Sequence, residues 1–189
     1  MIDPEGCTRC TLSETRRHVL RGEGNLHADV MLIAQAPGRM EDSENRMFIG
    51  PSGRMLDRLM ACGNIRRDEI YMTNLVKCIL PGNRNPKQRE IEACSIYLES
   101  EINEIAPRWL APLGYYATKY LFARYGLPPF TRAGFSALVG RAFPVGGRTL
   151  LPVSHPAFLL FHPEAAAGAE ENFRKIGTIV KYGTDAAFS

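Results

Sequence analysis

Four apolar runs, each followed by a stretch with helical spacing, constrain this chain more than any other feature. The runs lie at about Asp29 to Ala34, Ile70 to Val76, Trp109 to Leu113 and Thr149 to Val153. Helical patterns follow at about Pro51 to Cys62, Pro86 to Ile105, Tyr116 to Arg124 and Ala169 to Lys181. In the second of these, Ile91, Cys94, Leu98, Ile102 and Ile105 recur at three- and four-residue intervals, the signature of one buried helix face. Strands alternating with helices predict an α/β fold, a three-layer α/β/α sandwich around a mainly parallel four-stranded sheet. No internal repeat or low-complexity tract divides the chain, so residues 1–189 are read as a single domain. The stretch from Gly126 to Gly147, with five glycines and three prolines, is read as mostly loop.

The segment Ile33 to Gly53 reads IAQAPGRMEDSENRMFIGPSG. A buried strand breaks at Ala36-Pro37-Gly38, crosses a polar stretch, and returns through Met47-Phe48-Ile49-Gly50 to a helix opened by Pro51. Such a turn presents its side chains at the carboxyl edge of a parallel sheet, where ligands of open α/β folds bind. Gln35, Asn74, Gly114 and His155 each follow or close an apolar strand, so the same edge gathers them. An Asn within Met72-Thr-Asn-Leu-Val76 is poorly suited to a strand interior and costs free energy if buried unpaired. Its position opposite a loop bearing Phe48 favours a binding role for Asn74 and His155 over a purely structural one.

Five cysteines are present, and their spacing matters. Cys7 and Cys10 form a C-x-x-C, Cys78 and Cys94 lie 16 residues apart, and Cys62 sits alone in an apolar helical pattern that predicts a buried, inert thiol. A thioredoxin-like redox pair should follow a strand, and this C-x-x-C precedes them all. Four thiolates of mixed spacing suit either zinc or an iron–sulfur cluster. Composition bounds the rest: 45% hydrophobic and 23% charged residues are globular proportions, and a net charge of +3 permits a nucleic-acid partner without demanding one. No apolar run approaches the roughly 20 residues of a membrane span, and the first residues carry no basic-then-apolar leader, so a cytoplasmic protein with no membrane partner is expected.

The motifs together resemble the iron–sulfur, or family four, uracil-DNA glycosylases over nearly the whole chain. Cys7-x-x-Cys10 with Thr15 to Asn25 is similar to the family's opening, and Ala34-Gln-Ala-Pro-Gly38 through Glu41-Asp42 to Phe48-Ile-Gly50 to its first active-site motif. Tyr71 to Cys78, with Pro81-Gly-Asn-Arg84 and Glu90 to Cys94, is the most specific match. Leu113-Gly114 and His155-Pro-Ala-Phe-Leu-Leu160 complete the set. The resemblance implies a uracil-DNA glycosylase-like domain with an N-terminal cluster-binding segment, in which Cys7, Cys10, Cys78 and Cys94 hold a [4Fe–4S] cluster of structural role. It implies a repair hydrolase, acting as a monomer on single- or double-stranded uracil-containing DNA, that cleaves the N-glycosidic bond and leaves an abasic site.

The residue types fit that chemistry. Phe48 can stack on an extruded base, and Asn74 can accept from uracil N3–H while donating to O4, a pattern cytosine reverses. His155 can donate to O2 as the base departs as an anion. Gln35 and the backbone to Gly38 would orient water, and the carboxylate of Glu41 is a further catalytic candidate beside His155 and Gln35. Phe158, Leu159, Leu160 or Phe161 could wedge into the stack, and Lys77, Arg84 and Lys87 are phosphate-contact candidates. Two positions depart from the family pattern: Gln35 stands where a Glu is usual, and Phe161 where an Arg often follows the closing Leu-Leu. Uracil recognition is therefore expected more firmly than full catalytic speed. The alternatives are a damaged-base binding protein with weak or no catalysis, and a metal-stabilised nucleic-acid module without a base pocket.

Overall fold

The central strand is the most apolar of the four because it is covered on both faces. In the computed structural model, which describes residues 1–183, Val30–Ala34 (β2) is buried at every position. It pairs in parallel with Tyr71–Asn74 (β3) on one side and Trp109–Pro112 (β4) on the other. β4 pairs in parallel with Arg148–Leu150 (β6), and Leu113 bridges Val153 beyond it. The four expected strands thus form the parallel core. Two short antiparallel strands flank them, Glu23–Gly24 (β1) on β3 and Phe143–Val145 (β5) on β6, giving the order β1-β3-β2-β4-β6-β5.

Alternation along β2 sorts the two outer layers. Leu32 and Ala34 face a core shared with Leu56 and Leu59 of Pro51–Cys62 (α2) and Phe173 and Ile176 of Ala166–Tyr182 (α6). Met31 and Ile33 face the opposite core, with Leu98 and Ile102 of Gln88–Ile105 (α3) and Leu121 and Phe122 of Tyr115–Arg124 (α4). Each such aliphatic side chain contributes about 1.5–3 kcal/mol on burial, so the two cores together fix the strand register. Among the described residues no helix is long and apolar enough to cross a membrane.

Several sequence expectations are corrected. The stretch from Gly126 to Gly147 is not mostly loop at its end: β5 and β6 form a hairpin whose two-residue connection, Gly146-Gly147, has both φ angles positive, at 50° and 79°. Two consecutive glycines between short apolar segments supply the turn that matches strand twist. The polar stretch after Gly38 contains a helix, Arg39–Glu44 (α1), and a further turn of helix, Pro156–Leu159 (α5), follows His155. Cys62 is exposed rather than buried, because it ends α2 on the solvent side. Residues 184–189, included in the expected domain, lie outside the described residues.

Candidate active site

A cleft of about 550 Å³ opens at the carboxyl edge of the sheet, and Gln35, Glu41, Phe48, Asn74 and His155 all line it. The strand ends bring the first of these together. Ala34 is in register with Asn74, and the pairing continues past both strands through Leu75 N–H to the Ala34 carbonyl and Val76 N–H to the Gln35 carbonyl, at 2.8 and 3.0 Å. β3 stops at Asn74, so the residue sits at a strand terminus rather than inside the expected longer strand. Asn74 is buried, and its Nδ2 donates to Met47 Sδ at 3.2 Å. A thioether is a weak acceptor, which sets the amide's orientation and leaves its second N–H and Oδ1 to the cleft. Gln35 is half-buried, with its side chain bonded to no other group among the described residues.

Phe48 is held in a conformation it would not choose. Its φ of +53° is left-handed, a region that costs a bulky residue of order 1–3 kcal/mol. Three neighbours enforce it. Arg67 donates to the Met47 and Phe48 carbonyls at 3.1 and 2.7 Å while Asp57 anchors its Nε at 2.8 Å. Glu41 Oε1 accepts from Ile49 and Gly50 N–H at 3.0 and 2.8 Å. A Cβ on Gly53 would lie 1.8 Å from the Phe48 carbonyl oxygen, so only glycine fits the first turn of α2 there. Glu41 therefore fixes the Phe48 loop with one oxygen. Arg67 and Gly53 were not singled out from the sequence. Arg67 sits in a charged surface run, Arg66-Arg67-Asp68-Glu69, that carries no signal of what its guanidinium reaches.

His155 is the N-cap of α5, and its Nδ1 accepts from Ala157 N–H at 3.1 Å. An accepting Nδ1 places the ring's proton on Nε2, leaving a donor. Burial pushes the imidazole down to about 4, so the ring is neutral near pH 7. Gly114, with φ of +84°, lies behind it: a Cβ there would be 3.0 Å from His155 Cβ. The exposed Phe158, Leu160 and Phe161 follow on or after α5. Of the phosphate candidates, Lys77 does not reach solvent: it is fully buried and paired with Glu101 at 2.6 Å. Arg84 pairs with Glu90, which leaves Lys87 exposed.

The four cysteines named from the sequence line one small void, together with Leu12, Val19, Val76 and Tyr97. Among the described residues no three His, Cys, Asp or Glu side chains close on a point for a single metal ion. Two sulfurs receive donors: Lys77 N–H to Cys94 at 3.1 Å and Arg16 Nη1 to Cys78 at 3.7 Å. Burial pushes the Cys78 thiol up to about 12 and the Cys94 thiol to about 11, so loading a metal here must displace protons. The arm that carries Cys7 and Cys10 also touches the cleft. Asp42, buried on α1, accepts from Arg17 and His18 N–H at 3.0 and 3.2 Å, and Glu23 Oε1 accepts from Met47 N–H at 2.9 Å.

The sequence model of the Uracil DNA glycosylase superfamily matches residues 21–177 of this chain. A Type-4 uracil-DNA glycosylase of Sulfurisphaera tokodaii is 35% identical over 173 residues, 90% of this chain and 78% of the relative. That of Archaeoglobus fulgidus is 33% identical over 177 residues, covering 92% and 87%. That of Thermotoga maritima is 35% identical over 155 residues, covering 82% and 78%.

Proposed function

The chain belongs to the uracil DNA glycosylase superfamily and to its Type-4 uracil-DNA glycosylases, and from that premise we propose how its cleft hydrolyses the bond between uracil and deoxyribose. The observation that carries the reading is the meeting of Asn74, Phe48 and His155 on one cleft. A base within a duplex is out of reach, so the nucleotide is extruded, at a cost of about a few kcal/mol. Phe48 stacks on the ring. Asn74 Oδ1 accepts from N3–H and Nδ2 donates to O4. Bond cleavage leaves positive charge on the sugar and negative charge on the base. His155 Nε2–H donates to O2, where the bond strengthens as charge forms. Gln35 and the Ala36-Pro37-Gly38 backbone orient the water that attacks the sugar, and Glu41 keeps the loop in register. The products are free uracil and an abasic site. The protein acts as a cytoplasmic monomer. Single-turnover cleavage of a uracil-containing oligonucleotide, with binding measured in parallel, tests the reading: binding without cleavage would make the chain a damaged-base binding protein instead.

Gln35 decides between two roles for that position. An amide orients water but takes no proton from it. The sugar cation forms largely before water attacks, so positioning suffices. Gln35→Glu should leave the single-turnover rate unchanged between pH 5 and 8. A pH-dependent gain of about 10- to 100-fold would instead assign the position an acid–base role.

Cys7, Cys10, Cys78 and Cys94 fit a [4Fe–4S] cluster by donor type, by convergence on one void and by the N–H donors aimed at two of the sulfurs. When bound, it cross-links the N-terminal arm to the segment after β3 and to α3, and supplies no electron to the hydrolysis. Anaerobically purified protein should contain about four irons per chain, and stoichiometric zinc without iron would overturn the assignment. Cys62→Ala should keep its iron, and Cys10→Ala should lose iron and folding stability together.

A further inference from the structure

Between Glu104 and Glu164 the chain has no Asp or Glu, but it has six cations, Arg108, Lys119, Arg124, Arg132, Arg141 and Arg148. Three have partners. Arg108 pairs with Asp29, Arg124 with Glu99, and Arg148 donates to the Ile102 carbonyl. The other three are exposed and pair with no carboxylate among the described residues. Each lies over an aromatic ring instead. Lys119 Nζ is 5.9 Å from the Tyr115 centroid, the Arg132 guanidinium is 5.1 and 5.4 Å from Tyr115 and Tyr116, and that of Arg141 is 5.8 Å from Phe143. The rings form one cluster: Tyr115 meets Phe130 edge-on at 5.6 Å, and Phe122 meets both Phe130 and Phe143 at 5.0 Å. A ring restrains a cation's direction without cancelling its charge, whereas a carboxylate does both. The sequence thus braces these cations while leaving their field open to solvent.

Their place in the fold says what that field meets. Tyr115 opens α4 directly after Gly114, whose backbone abuts His155. The platform therefore begins beside the wall of the cleft. We propose that Lys119, Arg132 and Arg141 track the phosphodiester backbone of the DNA flanking the extruded nucleotide. This deepens the uracil-excision reading and rests on it. Each phosphate neutralised releases counterions, so each contact adds about 0.7 to the salt dependence of binding to a single strand and about 0.9 to a duplex.

The test uses the full-length protein with Lys119→Gln, Arg132→Gln and Arg141→Gln combined. Affinity for a uracil-free 25-residue oligonucleotide, single- and double-stranded, is measured against salt concentration. Excision is measured on the same length carrying uracil and on a trinucleotide too short to reach the platform. The variant should bind at least about tenfold more weakly at 0.1 M salt, with the single-strand slope reduced by about 2. Its rate on the trinucleotide should be unchanged, and Arg132→Lys alone should keep wild-type affinity. An unchanged affinity and slope would overturn the proposal. So would an equal loss on the trinucleotide, which would place the effect in folding or in the cleft. Absence of uracil excision in the wild type would sink the catalytic reading alone, because the oligonucleotide affinities report on the platform separately.

Discussion

Asn74→Ala should slow uracil excision at least about 100-fold in single turnover, because the cleft then presents nothing to the N3–H and O4 of a buried base. The effect is large because the amide is rigid. Its strand ends against β2, and Met47 holds one N–H, so the side chain meets the base without first surrendering rotational freedom. Asn74→Asp sharpens the test. A carboxylate still accepts from N3–H but repels O4, so uracil excision should fall almost as far. Wild-type rates in Asn74→Ala would show that the residue does not read the base, and melting temperature controls for the loss of packing.

His155→Ala should lower the chemical step by about 100- to 1,000-fold, the range for removing one donor from a site of developing negative charge, with DNA affinity little changed. A matching loss in affinity with no loss in rate would refute the role. The pH behaviour separates a neutral donor from a charged one. The imidazole is pushed from 6.5 to about 4 by burial, so excision should show no His155 inflection between pH 5 and 8. Stability carries the same sign. The unfolded chain takes up a proton below about 6.5 that the native ring refuses until about 4, so folding stability falls as pH drops through that window. In His155→Ala this part of the pH dependence should vanish.

The sheet edge was legible because its residues break local rules. Asn74 interrupts an apolar run, His155 precedes a proline after another, and Phe48 follows a polar stretch, so each is visible as an exception. The cysteine set was legible for the same reason. The supporting residues were not. Arg67 and Gly53 reach Phe48 only through the path of α2, and Arg16 reaches Cys78 only across a sequence separation of 62. Lys77 shows the converse error: a lysine beside a cysteine reads as a surface charge, whereas the fold buries it against Glu101. The edge strands were missed because two or three residues are too few for a period-two pattern. Gly146-Gly147 did carry a hairpin signal that the surrounding glycines and prolines obscured.

The arm from Cys7 to Glu23 touches both the thiol site and the cleft, and this sets an order of events during synthesis. Its cleft partners Asp42 and Met47 follow soon, but Lys77 is made 57 residues after Leu20 and Cys94 is made 87 residues after Cys7. At about 5–20 residues per second, Cys94 follows Cys7 by roughly 4–17 s. Over that interval the arm lacks its partners at the thiol site, and closing such long loops is what slows a fold rich in distant contacts. The arm is therefore among the last segments to be locked at the thiol site, although its contacts to the cleft side can form early.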